Sequence, residues 1–304
     1  MNQTLGYEDP LSNPKNLREA FSAITHWLQK HDCKITTGRF AEYAEFISYM
    51  DYCEKHKVLI PKYNMLELAS FHREINELTF VFSKFVSKES DITIQLLKQV
   101  LQGHALPTDN PAAEKCRNYL LQLRAAVYFM DSGFDVSVSS DADVVAKKNN
   151  KTYYIECKRL YSLSQVEKRI REIEDQLLAR FSEHKEESEA FGIGWLDPGA
   201  IFMGRIGMYA AYSRAASQLA ARVDLNLFAD QYLPDKTKKD PRILAIALQM
   251  VWPSICGLEE ISISTGFTTI VCPLVSKDDF REKVRPLFDN LLKINMASKK
   301  QGIN

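Results

Sequence analysis

Apolar residues recur at three- and four-residue spacing through Asn16–His31, Arg39–His56, Met65–Ser87 and Asp91–Gln102, which predicts four helices in the first third of the chain. Ser90 before the fourth helix and Gly103 after it are the expected start and stop residues. The stretch 104–111 then combines two prolines with an Asn and an Asp, a linker composition, and places a boundary near residue 108. Past it the pattern changes. Asn110 and Pro111 open a helix whose apolar stripe (Cys116, Leu120, Leu123, Val127, Met130) runs to Gly133. Three runs follow that alternate or are β-branched, at 134–139, 142–148 and 151–160, with Asn149-Asn150 as a turn between the last two. Helical spacing returns from Ser164 to Phe181, and 190–196 reads as a short buried strand. Beyond it the pattern predicts a helix over Ile206–Val223, a charged loop at 234–241, a buried strand or short helix at 242–252, a strand at 267–275 and a helix over Asp278–Ala297.

This order predicts an α/β fold: an all-α N-terminal region over 1–108, then an α/β domain over 109–304 with a mixed central sheet, flanking helices and a C-terminal extension. The chain has 304 residues, enough to bury a core without staples. Lys and Arg number 39 against 39 Asp and Glu, so any nucleic-acid surface must be a local patch. The longest apolar run, Ile243 to Trp252, contains Gln249 and is far short of the roughly 20 residues of a membrane span. The N-terminus has neither the basic nor the apolar segment of a secretory signal, so the expected location is cytoplasmic. The six cysteines form no C-x-x-C pair and read as reduced structural thiols.

Chemistry concentrates between Asp141 and Arg159. Alternate side chains of a strand share a face, so Tyr154, Glu156 and Lys158 point one way and Tyr153, Ile155 and Cys157 the other. An acid and a base in a stretch otherwise suited to burial cost desolvation unless they are paired or bind something. A hairpin at Asn149-Asn150 brings Asp143 back beside Glu156, with Asp141 a competitor for that place if the register slips. Two carboxylates and an ammonium in one place suit phosphodiester hydrolysis. The carboxylates hold Mg²⁺, for which Mn²⁺ can substitute, and the lysine positions or helps deprotonate the attacking water and balances transition-state charge.

Asp143 followed 13 positions later by Glu156-Cys157-Lys158, on strands between two helices, resembles the PD-(D/E)xK, or restriction-endonuclease-like, nuclease superfamily. The resemblance covers roughly Asn110 to Leu196, with Ala142 standing where the motif's name has proline. It implies an αβββαβ core, with Asp143 and Glu156 as metal ligands and Lys158 as the catalytic lysine. Some members add an acid from the first helix, for which Glu114 is the candidate, and polar residues of the second helix, for which Gln176 is. Arg159, Lys168 and Arg169 are placed to meet phosphates. The implied function is a metal-dependent nuclease acting on DNA, in restriction or in defence against phages or mobile elements. The N-terminal helices would then bind a partner protein, a second copy or substrate.

The alternative is a catalytically inactive module of the same fold that binds nucleic acid or a partner protein. Cys53 and His56 have metal-like spacing but no second pair at finger distance, which argues against zinc. Gly192-Ile-Gly194 lacks the rest of a phosphate loop and reads as a closely packed strand. With no G-x-S-x-G and no histidine in the motif, a covalent-nucleophile hydrolase is not indicated.

Overall fold

Asn149 and Asn150 both take left-handed backbone, with φ of 52° and 62°, which is the two-residue hairpin turn whose twist matches that of the flanking strands. In a computed structural model of the chain this turn joins β3 (Val144–Lys148) to β4 (Lys151–Arg159), with Lys148 opposite Lys151 and Val144 opposite Ile155. The structure describes residues 3–7, 14–58, 62–85, 91–106, 114–138, 143–183, 189–233, 240–257 and 262–288. Asp141, the Asn110-Pro111 helix start, the lysines of the loop after residue 233 and the C-terminal helix beyond Phe288 lie outside the described residues.

The hairpin belongs to an eight-stranded mixed sheet. Its strands run in the order β1 (Gln3–Tyr7), β8 (Ser262–Pro273), β7 (Ile243–Cys256), β5 (Ala190–Asp197), β4, β3 and β2 (Asp135–Ser137). β6 (Tyr209–Ala211) pairs with the far end of β7. β4 and β5 are parallel, and β2, β3 and β4 are successively antiparallel. Helix α5 (Lys115–Asp131) precedes β2, and α6 (Val166–Glu183) links β4 to β5, so the middle of the chain runs helix, three strands, helix, strand.

Alternation in β4 divides the core. Tyr153, Ile155 and Cys157 join a cluster built with the helices α1 (Pro14–Lys30), α2 (Gly38–His56), α3 (Met65–Phe85), α4 (Asp91–Val100) and α5. Tyr154 joins the opposite cluster with α6, α7 (Gly199–Ile206) and α8 (Arg214–Tyr232). Helices α3 and α5 lie on the sheet, and α1, α2 and α4 pack outside them. The expected N-terminal region therefore shares one core with the sheet: α3 crosses β7 and β8, and residues on both sides of position 108 fill the same cluster.

The N-terminal region is also not all-α. Gln3–Tyr7 forms β1 on the edge of β8 by backbone pairing, which needs no alternating pattern. The helix expected over Ile206–Val223 is divided. α7 ends at Ile206 and is capped by Gly207, where φ is 76°, β6 follows, and α8 begins after Ser213, whose hydroxyl accepts from Ala216 N–H at 3.2 Å. The segment 242–252 is strand, continuing to Cys256, since both faces of β7 are covered by helices.

Glycines set two close approaches. A Cβ at Gly192 would lie 2.8 Å from Leu177 Cδ1 and one at Gly194 3.1 Å from Ile173 Cγ2, so both glycines let α6 settle on β5. A Cβ at Gly266 would lie 2.2 Å from the indole of Trp252, its cross-strand partner, which is fully buried with its N–H donated to Ser217 Oγ at 3.0 Å. Gly266→Ala is expected to destabilise the fold by about 1–3 kcal/mol through overpacking. Denaturant unfolding measures this, and a midpoint equal to wild type would contradict the packing described.

Candidate active site

Asp143 comes just before β3, whose pairing ends at Val144 opposite Ile155, and it lies near Glu156, with Lys158 Nζ between the two carboxylates. Asp143 is fastened from two sides. Its Oδ2 accepts the backbone N–H of Cys157 at 2.7 Å, and its Oδ1 accepts from Gln122 Nε2 on α5. Lys158, two residues beyond Glu156 on the same face of β4, places Nζ 4.0 Å from Asp143 Oδ2 and 4.0 Å from Glu156 Oε2. From α6, Arg180 brings Nε to 3.8 Å from Glu156 Oε1. The site thus holds two carboxylates and two cations drawn from the start of β3, from β4 and from α6.

Burial gives this arrangement its electrostatic character. Glu156 is 2% exposed, whereas the side chains of Asp143 and Lys158 are each 18% exposed. Desolvation first, and then the neighbouring Asp143 charge, push Glu156 up to about 7, against the opposing pull of Lys158 and Arg180. Desolvation also raises Asp143, against Lys158 and the Cys157 N–H. Glu156 Oε1 and Arg180 Nε are both buried, and neither has a hydrogen-bond partner.

An unsatisfied carboxylate oxygen beside a second acid is what a divalent cation would complete. The donor set fits Mg²⁺, which commonly takes one or two protein carboxylates and keeps several waters. Among the described residues no group of three His, Cys, Asp or Glu side chains gathers at one point, so Asp143 and Glu156 would be the protein's share.

A cavity of about 520 Å³ opens in front of Asp143 and Lys158, beyond the C-terminal end of β4 and between α5 and α6. Asn118 and Gln122, one turn apart on α5, form one wall, and Arg169, Glu172 and Gln176 of α6 face them. Tyr161 and Arg159 also line the cavity, with Tyr161 Oη 3.4 Å from Asn118 Oδ1.

The residues expected from the sequence divide accordingly. Asp143, Glu156 and Lys158 come together; Asp143 and Lys158 line the cavity with Arg159, Arg169 and Gln176, while Glu156 is buried and does not line it. Lys168 does not line it; its side chain is 75% exposed and lies 3.9 Å from Glu172. Glu114 is not brought to the acids either. It sits at the N-terminal boundary of α5 without a side-chain capping bond, is buried, and accepts from Arg117 Nη1 at 2.9 Å, so its charge is spent within a buried ion network. The first-helix residue that reaches Asp143 is Gln122. It was not singled out from the sequence, although Asn118 and Gln122 form a polar i, i+4 pair on the first helix. Arg180 was missed as well, since nothing in the sequence distinguishes it from the other arginines of α6.

No protein-family model, no curated protein and no solved structure matches this chain. Among the described residues no helix is long and apolar enough to cross a membrane.

The raised Glu156 has a consequence for stability. Between about pH 4.5 and about 7 the unfolded chain ionises this carboxyl while the folded site resists, so unfolding releases a proton. Without divalent cation, this group's contribution to stability is expected to fall as pH rises through that interval. Asp143 acts in the same direction. Denaturant midpoints of wild type and Glu156→Gln check it: the variant should lose much of the decline, and identical pH profiles would contradict the assignment.

Proposed function

We propose that the protein is a metal-dependent nuclease of the PD-(D/E)xK type that hydrolyses phosphodiester bonds in DNA. The observation that carries this reading is the juxtaposition of Asp143, at the start of β3, and Glu156 on β4, with Lys158 Nζ at 4.0 Å from each. The order α5, β2, β3, β4, α6, β5 supports it, because it is the αβββαβ succession that the sequence resemblance implies.

In this reading Asp143 and Glu156 hold Mg²⁺ or Mn²⁺. A cation so held would polarise the phosphoryl group and lower the pKa of its bound water. The protein's own groups do the rest. Gln122 and the Cys157 N–H keep the Asp143 carboxylate in one orientation. Lys158, exposed to the cavity, is placed to orient the attacking water and to offset charge gathering on the phosphoryl oxygens. Arg180, with Nε 3.8 Å from Glu156 Oε1, offsets part of the cost of ionising that residue. The cavity has the size range of small-ligand sites, and Asp143 and Lys158 both line it.

The cytoplasmic location, the role in restriction or in defence against phages and mobile elements, and the binding of a partner or a second copy by the N-terminal helices belong to this proposal through the same resemblance.

Purified protein incubated with plasmid, linear duplex, single-stranded DNA and RNA, each with Mg²⁺, Mn²⁺ or chelator, tests the reading. DNA cleavage that requires the metal is expected, and Lys158→Ala should lower its rate by about 10²-fold or more while far-UV circular dichroism is unchanged. Undiminished cleavage by that variant would remove the mechanism, and cleavage of RNA alone would replace the substrate.

A further inference from the structure

In the lining of the cavity, β4 finishes in an arginine that is buried and whose Nε has no hydrogen-bond partner. Arg159 is 7% exposed and lines the cavity. Its Nε is buried without a partner, and its guanidinium makes no hydrogen bond with any described residue. Its one ion pair among the described residues is loose, with Nε 3.7 Å from Asp197 Oδ2. The Asp197 carboxylate is already engaged: Oδ2 accepts from Arg124 Nη2 at 3.0 Å, and Oδ1 accepts from Gly199 N–H at 2.7 Å.

Arg159 also stands at the border of a larger buried network. Glu74 is held by Arg39, Arg73 and Arg117, Glu114 pairs with Arg117, and Arg124 joins Glu77 to Asp197. Arg159 feels Glu74, Glu77 and Asp197 together. With Arg159 included, five arginines face four carboxylates. A buried guanidinium with an unpartnered Nε–H and, among the described residues, a surplus of one positive charge in this network calls for one anionic oxygen ligand, since an uncompensated buried charge is costly.

We infer that Arg159 is the seat for a singly charged phosphodiester, the backbone linkage next to the one presented to Asp143 and Lys158. The identity of the strand rests on the nuclease reading; the preference for a diester rests on charge. An internal linkage carries one negative charge and matches the surplus of one. A terminal phosphate carries about 1.5 to 2 at neutral pH and would leave part of its charge unmatched in a desolvated corner. The site is therefore built for a continuous strand passing through, with Arg159 as a binding residue that holds the neighbouring linkage.

Fluorescence anisotropy with fluorescein-labelled oligodeoxynucleotides, single-stranded and duplex, in chelator and over a range of salt, tests this. The probes carry either a 5′-hydroxyl or a 5′-phosphate. The slope of log affinity against log salt should fall by about 0.7 for single strands in Arg159→Gln, the loss of one phosphate contact. Arg159→Lys should keep the slope, and the 5′-phosphate should change affinity by less than about twofold. An unchanged slope in Arg159→Gln overturns the inference, as does a gain of about tenfold from the 5′-phosphate that this variant abolishes, or binding to neither form of DNA. If Arg159→Gln does not fold, wild type carries the test. The Arg159 Nε–H resonance, assigned by its loss in Arg159→Lys, should shift on titration with dimethyl phosphate, and a resonance that stays in place overturns the inference. The two readings fail separately. Intact cleavage with an unchanged slope removes the Arg159 seat alone, whereas intact binding without metal-dependent cleavage removes the nuclease reading alone.

Discussion

The register of one hairpin decides where the charged groups of this protein meet. A slip of one residue between β3 and β4 would turn Glu156 and Lys158 to the face occupied by α5 and move Asp143 away from both. The left-handed pair Asn149-Asn150 opposes that slip by fixing a two-residue turn, and the apolar alternation of β4 opposes it again, because Tyr153 and Ile155 fill one core and Tyr154 the other. Once the register holds, two carboxylates lie side by side in a poorly hydrated place. Their cost is reduced by Lys158, Arg180, Gln122 and the Cys157 N–H, and part of it persists as the raised proton affinity of Glu156. The close seating of α6, which Gly192 and Gly194 permit, brings Arg180 to this pair and Arg169 and Gln176 to the cavity.

On the other face, buried arginines tie the N-terminal helices to the sheet. Arg124 of α5 reaches Glu77 on α3, Asp197 at the end of β5 and Gln249 on β7, and Gln249 in turn accepts from Trp195 Nε1 at 3.1 Å and donates to Thr269 Oγ1 at 3.2 Å. Arg39 joins α2 to Glu74 on α3 and to the carbonyl of Val100 at the end of α4. Buried ion pairs recover their desolvation cost only with good geometry, so their stronger effect is on arrangement: removing one partner leaves a charge stranded. The network ends at Arg159, so the groups that hold α3 and α5 on the sheet also determine the charge in the lining of the cavity.

Most of the elements and the central trio were legible in the sequence because each depends on local signals. Helical spacing locates α1 to α6 to within a few residues, and strand alternation with an Asn-Asn turn is enough to pair Asp143 with Glu156. What was not legible depends on distant partners. β1 has no pattern of its own and exists through β8. The division of Ile206–Val223 turns on Gly207 and Ser213, ordinary residues until the chain reverses there. Glu114 is the natural acid of the first helix when that helix is read alone, yet Arg117, three residues on, claims its carboxylate, while Gln122 two turns later reaches the site. A boundary near residue 108 follows the prolines faithfully, but prolines do not reveal that α3 will cover β7 and β8.

The central claim is that Asp143 and Glu156 together form a seat for one divalent cation. Isothermal titration calorimetry with Mn²⁺ near neutral pH, on wild type, Asp143→Ala and Glu156→Gln, tests it most directly. The account predicts one saturable site in wild type, lost or weakened by about tenfold or more in each variant. Wild type without a saturable site, or variants that bind as wild type does, would contradict it.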